Sequence, residues 1–207
     1  MKRYSRVLTA AMAAAFCVAA AGCLFRPNTM LTRSFVLTPM AAPEVPEALG
    51  VRPVIGIARV SLPNYVKHST MAVRKGPNEV DYMDNAVWAE PLDQGFQRSL
   101  AANLAHLLPT DQLRLSDWRP GEISLSLHVI VQQFDVDTLG HAELVAWWRI
   151  VAPTAGQTLR SGETRLSLEG SPPLADPQAM AATMSALVGE LSKVLATAIK
   201  ETQLPGS

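Results

Sequence analysis

The side chains of this 207-residue chain that could act chemically are few and dispersed. His68, His106, His128 and His141 share no HExxH or paired spacing, so nothing in the sequence brings two imidazoles to one helix face for a metal. Gly50, Gly56 and Gly76 are too far apart to form a phosphate-cradling loop. Ser171 follows a glycine but precedes Pro172 and Pro173, which removes the strand-turn-helix setting of a nucleophile elbow. Asp135 and Asp137, close to a turn at Gly140, offer at most weak calcium ligands and are expected to be solvated. The expectation is a protein that is not an enzyme, with no metal and no catalytic residues.

Cys23 is the exception. Lys2, Arg3 and Arg6 precede an apolar run from Val7 to Ala21, and Gly22 leads directly to Cys23. A basic region, a short apolar region and small residues at the cut are the parts of an export signal. The apolar run is shorter than the roughly 20 residues that cross a bilayer as a helix. Cleavage before Cys23 would leave a cysteine at the new N-terminus, the substrate for thioether-linked diacylglycerol and an amide-linked acyl chain such as palmitate. Ala20 stands where such signals usually carry leucine, and Cys17 is a poorer site because Phe16 precedes it. The competing reading is an ordinary secretory signal with a chance cysteine.

Removing residues 1–22 takes away three of the 18 basic residues and none of the 18 acidic ones, leaving a slightly acidic chain. That charge gives no reason to expect nucleic acid as a partner. Cys17 leaves with the signal and acylation consumes the thiol of Cys23, so neither of the two cysteines remains for a disulfide. Two or more acyl chains, at about 0.8 kcal/mol per buried methylene, make a lasting anchor. Leu24 follows the cysteine rather than an inner-membrane-retaining aspartate. The expected location is therefore the periplasmic face of the outer membrane, with no cofactor beyond the acyl groups on Cys23.

The elements behind this anchor read as a signal peptide over 1–22, a lipidated tether over 23–32 and a single domain over 33–207. Arg33 to Pro39 predicts a short strand, Met40 to Arg52 a proline-bearing linker, and Pro53 to Ser61 a buried strand stopped by Pro63. Gly76-Pro77-Asn78 joins two short segments into a hairpin. Glu90-Pro91 starts a helix whose stripe is Leu92, Phe96, Leu100, Leu104 and Leu107, with Asp93, Gln97 and His106 off it, and Pro109 ends it. Period-two alternation from Glu122 to Val136, then His141 to Val151 and Gln157 to Leu168, predicts an antiparallel meander. Asp176-Pro177 starts a second helix with its stripe on Met180, Met184, Leu187, Leu191, Val194, Ala198 and Ile199. The fold class is α+β, an antiparallel sheet with two helices packed on it.

Aromatic side chains supply the remaining candidates. Trp88, before Glu90-Pro91, serves either as a staple on the first helix turn or as an anchor for a partner. Trp147 and Trp148 point to opposite faces of a strand, so one is core and the other requires a helix, a subunit or a ligand to cover it.

Three passages resemble the PqiC-type auxiliary lipoproteins of ABC-type transporters. They are Phe35-Val36-Leu37-Thr38-Pro39, the run from Val54 to Tyr65 through Leu62-Pro63-Asn64, and Trp88-Ala89-Glu90-Pro91-Leu92-Asp93-Gln94-Gly95-Phe96. Phe134-Asp135 and Glu143 to Trp148 resemble the family's paired strands more loosely, whereas Val87 stands where the family commonly has a basic residue. The resemblance implies an outer-membrane-anchored subunit of a system moving lipid between two membranes. It also implies docking to an MCE-domain protein that bridges the periplasm, assembly as a homo-oligomer, and contact with phospholipid. Candidate partner or oligomer contacts are Tyr65, Trp88, Glu90, Pro91, Trp147 and Trp148. The reading from another class is a periplasmic carrier holding a lipid or other hydrophobic ligand between sheet and helix.

Overall fold

Strand β6, Leu125–Asp137, is the longest shared element of the sheet, because the other strands are arranged along its two edges. The computed structural model describes residues 31–41, 53–108 and 112–202, so the expected anchor at Cys23 and most of the Met40–Arg52 linker lie outside the described residues. The chain divides into two units, Met1–Leu31 and Thr32–Ser207; the second is the one described below.

On one edge β6 pairs antiparallel with β7 (His141–Ala152), which pairs antiparallel with β8 (Gln157–Glu169). This is the expected meander. The opposite edge of β6 is shared by two short parallel partners. β2 (Ile55–Ile57) lies beside Leu125 to Leu127, and β3 (Thr70–Gly76) lies beside Val136 and Asp137. β3 turns into β4 (Glu79–Trp88) through the expected hairpin; β1 (Arg33–Phe35) adds parallel to the far end of β4, and β5 (Leu113–Leu115) adds parallel to β2. The α+β class holds, and the sheet is mixed rather than wholly antiparallel.

The first strand is shorter than its sequence predicts because the backbone after Phe35 bonds to helices instead of to a strand. Leu37 O accepts from Arg98 and Ser99, Thr38 N donates to Ser185 Oγ at 3.1 Å, and Met40 N donates to Asn103 Oδ1 at 2.7 Å. Both helices lie on one face of the sheet. α1 (Leu92–Leu107) begins after Pro91, which occupies the N-cap rather than the first turn. α2 (Pro177–Lys200) is capped by Asp176, whose carboxylate accepts from Gln178 N and Ala179 N, as its sequence predicts. α2 is long and apolar enough to cross a membrane, yet 61% of its apolar window is buried inside the fold, as befits a core helix.

Each helix presents a second, polar stripe to its neighbour. Asn103 Nδ2 donates to Ser192 Oγ at 3.1 Å, and Ser185 and Ser192 each donate to the carbonyl four residues back. Val194, expected in the α2 stripe, is exposed; Leu195 takes its place in the core. Phe96 meets Phe134 edge-on with ring centroids 5.2 Å apart, and Leu100, Leu104, Leu144 and Met180 fill the layer around them.

Asn103 is fully buried and joins the segment after β1 to both helices. Asn103→Ala strands Met40 N–H without its acceptor, a loss of about 1–3 kcal/mol. Thermal unfolding is expected to show a lowered Tm with the same cooperativity.

Candidate docking surface

The face of the sheet turned away from the helices carries the candidate site, and a bulge in β6 decides which residues reach it. Val131 pairs with Ala146 and Gln133 with Val145, so Gln132 is an extra residue. Before the bulge the odd-numbered residues Leu125, Leu127, Val129 and Val131 enter the core; after it the even-numbered Phe134 and Val136 do. Asp135 is thereby turned to the outer face.

There Asp135 is 2% exposed, contrary to the expectation of a solvated carboxylate. Arg74 Nε donates to its Oδ1 at 3.0 Å and Arg74 Nη2 to its Oδ2 at 2.5 Å, a two-pronged pair. Tyr65 Oη donates to the same Oδ2 at 2.5 Å, and Gln133 Nε2 to Oδ1 at 3.2 Å. Tyr82 Oη donates in turn to Tyr65 O. Burial, then the Asp135 hydrogen bond, pushes the Tyr65 hydroxyl up to about 12. The hydrogen bond to Asp135 also raises the Arg74 guanidinium, which stays charged. These contacts clasp the 3₁₀ turn Asn64–Val66 across the end of β3 and β6. Tyr65 is thus committed within the chain, leaving its exposed part for any partner.

The Trp88–Phe96 passage is likewise used internally. Trp88 is buried, its backbone N–H donates to Ser69 O, and Ala89 N donates to Phe35 O. Glu90 folds over Gly95, where a Cβ would come within 3.0 Å of its Oε1, and accepts from Arg98 Nη2 at 2.5 Å. Pro91 remains at the exposed N-cap. Gln97, read as merely off the apolar stripe, donates from Nε2 to Ile57 O, Ala58 O and Ser116 Oγ, and so ties α1 to β2. A groove of about 470 Å³ opens beside it, lined by Arg59, Glu90, Asp93 and Arg98 among others.

Trp147 and Trp148 separate as their adjacency requires. Trp148 lies in the core over Gly162, donating from Nε1 to Thr164 Oγ1 at 2.9 Å. Trp147 is 52% exposed on the outer face beside Ile130, which is 49% exposed, and donates from Nε1 to Glu163 Oε2 at 2.9 Å. His128, Arg149, Ser161, Gly162 and the edge of Trp148 line a shallow groove of about 310 Å³ together with these two residues. Burial, and then the neighbouring Arg149, lower the His128 pKa and favour its neutral ring. Trp118 covers the outer face at Gly56, and the Tyr65 turn covers it beside Asp135. Ile130 and Trp147 lie on the stretch between.

The other histidines hold no common site. His68 stacks at a tilt on Tyr82, His141 lies between Asp137 and Glu169, and the shielded Nδ1 of His106 has no partner among the described residues. Among the described residues no group of three His, Cys, Asp or Glu could hold a metal ion.

A family model described as an ABC-type transport auxiliary lipoprotein component matches residues 35–196. This chain belongs to that family. The family is a transport auxiliary component and not an enzyme family. Two solved structures share the fold. One, of an uncharacterized protein, is 20% identical with a TM-score of 0.67, over 82% of this chain and 99% of that one. The other, of a Xanthomonas campestris protein, is 17% identical with a TM-score of 0.64, over 80% and 93% respectively. Among curated proteins none matches.

The clasp yields a pH-dependent test. Because the folded Tyr65 pKa is raised above 10, its contribution is complete below pH 10 and is lost as pH rises toward about 12. The stability difference between the parent and Tyr65→Phe, measured by denaturant unfolding, is expected to shrink over that interval. Arg74→Leu leaves the Asp135 charge buried and is expected to cost about 3 kcal/mol at neutral pH.

Proposed function

We propose that this protein is a lipid-anchored periplasmic docking subunit, held by acyl chains on Cys23 to the outer membrane. In this reading it meets the periplasm-spanning MCE-domain component of an ABC-type lipid transport system and helps keep the envelope intact. The observation that carries it is the auxiliary-lipoprotein match over residues 35–196, a short tether's length beyond Cys23. An auxiliary subunit of this kind needs a membrane attachment and a contact surface, and it needs no bond-making chemistry.

The contact surface we assign is the outer-face patch of Ile130 and Trp147. An indole at the centre with Arg149, Glu163 and Arg165 around it has the make-up of an interface anchor with a polar rim. Tyr65, Trp88, Glu90, Pro91 and Trp148 act behind it, by fixing the turn, helix start and strand that shape the domain. A carrier holding lipid between sheet and helices would have to displace Phe96, Phe134, Leu100 and Leu144, all fully buried there.

Two variants test the parts separately. Cys23→Ser is expected to move the protein from the membrane fraction to the soluble periplasmic fraction with its fold intact. Trp147→Ala is expected to stay on the membrane but lose co-purification of an MCE-domain protein by tenfold or more, a loss of about 1.4 kcal/mol or greater. If Trp147→Ala instead breaks only self-association, the patch is the homo-oligomer interface. Unchanged association of both kinds removes the assignment.

A further inference from the structure

One end of the domain gathers features that the fold does not use. The turn between β6 and β7 exposes Leu139, which is 67% accessible, and the loop before α2 exposes Leu174, which is 70% accessible. The two loops are locked together: Gly170 N donates to Gly140 O, and Gly140, at φ +102, leaves no room for a Cβ against Gly170 O. The chain enters the domain near the Leu174 loop on the helix side: β1 itself pairs with Ala86–Trp88 at the end of β4 away from its hairpin, while Arg33 donates to Gln178 in the first turn of α2, just after that loop. The β3–β4 hairpin turn also belongs to this end, because Arg74 pairs with Asp137 and β3 continues past it to Gly76.

Apolar side chains of this size on two separate turns do nothing for the core. The nearby charges are partnered: His141 lies between Asp137 and Glu169, and Asp176 is held by the α2 amides. We propose that this end, with Leu139 and Leu174 foremost, rests on the lipid leaflet and inserts the two leucines at its surface. The occupant is argued from the chain itself. Arg33 is ten positions beyond Cys23, so the intervening chain can hold Arg33, and the Leu174 loop beside its side chain, no farther than about 35 Å from the acylated cysteine. Tethering at that range makes contact intramolecular, so two leucines too weak to bind a bilayer alone suffice to orient an anchored domain. The inference rests on the acylation of Cys23 and adds to it a fixed orientation, with the β7–β8 turn at Thr154 directed away from the lipid.

The test uses the lipidated protein in vesicles of phosphatidylethanolamine and phosphatidylcholine. Acylation leaves no free thiol, so Leu139→Cys, Leu174→Cys and Thr154→Cys each carry one site for an environment-sensitive fluorophore. Labels at 139 and 174 are expected to shift to shorter wavelength and to be quenched several-fold by lipids brominated on the acyl chain. The label at 154 is expected to be quenched by aqueous iodide alone. Iodide quenching at 139 and 174 equal to that at 154 in protein that floats with the vesicles overturns the orientation and leaves the anchor standing. Protection from iodide without quenching by brominated lipid means that a second copy covers the leucines, and also overturns it. Failure to float with vesicles overturns anchor and orientation together.

Discussion

A strand offers alternate side chains to its two faces, and inserting one residue exchanges every later position between them. In β6 that insertion at Gln132 is the condition on which much of the remaining structure depends. It places Phe134 against Phe96 in the core while turning Asp135 toward Arg74 and Tyr65. Without the extra residue, Asp135 would face the helices as a buried carboxylate beside leucines. The turn that brings the chain from β2 to β3 would then lose its polar fastening.

The same economy runs through the parts that most resemble a functional motif. Trp88, Glu90, Pro91, Leu92, Gly95 and Phe96 form a junction where β1, β4 and α1 meet, each contributing a contact within the chain. Their pattern in the sequence reflects the demands of that junction. The surface left for association is correspondingly small, and Trp147 stands out on it because its neighbour Trp148 already satisfies the core.

Where the sequence carried a long period, it spoke clearly. β6, β7 and β8 are 12 or 13 residues each, and α2 is capped by Asp176 and Pro177 as its residues indicate. The three-residue strands β1, β2 and β5 are too short to show a period, and their parallel pairings join segments far apart in the chain. Asp135 as a buried node was legible only in the shift of apolar positions from Val131 to Phe134. Gln97 was not legible at all, since a polar residue beside a helical stripe gives no sign that strand carbonyls await its amide. The patch at Ile130 and Trp147 was half legible: adjacent tryptophans must face opposite ways, but only the tertiary fold determines which one is left uncovered.

Among the described residues β8 borders the sheet with β7 as its only partner strand, and its outward residues include Glu163, Arg165 and Glu169. An open hydrogen-bonding margin of this length is a template for stray strands, and alternating charges along it discourage a foreign segment from zipping on. Neutralising those charges would turn a guarded border into a nucleus for aggregation.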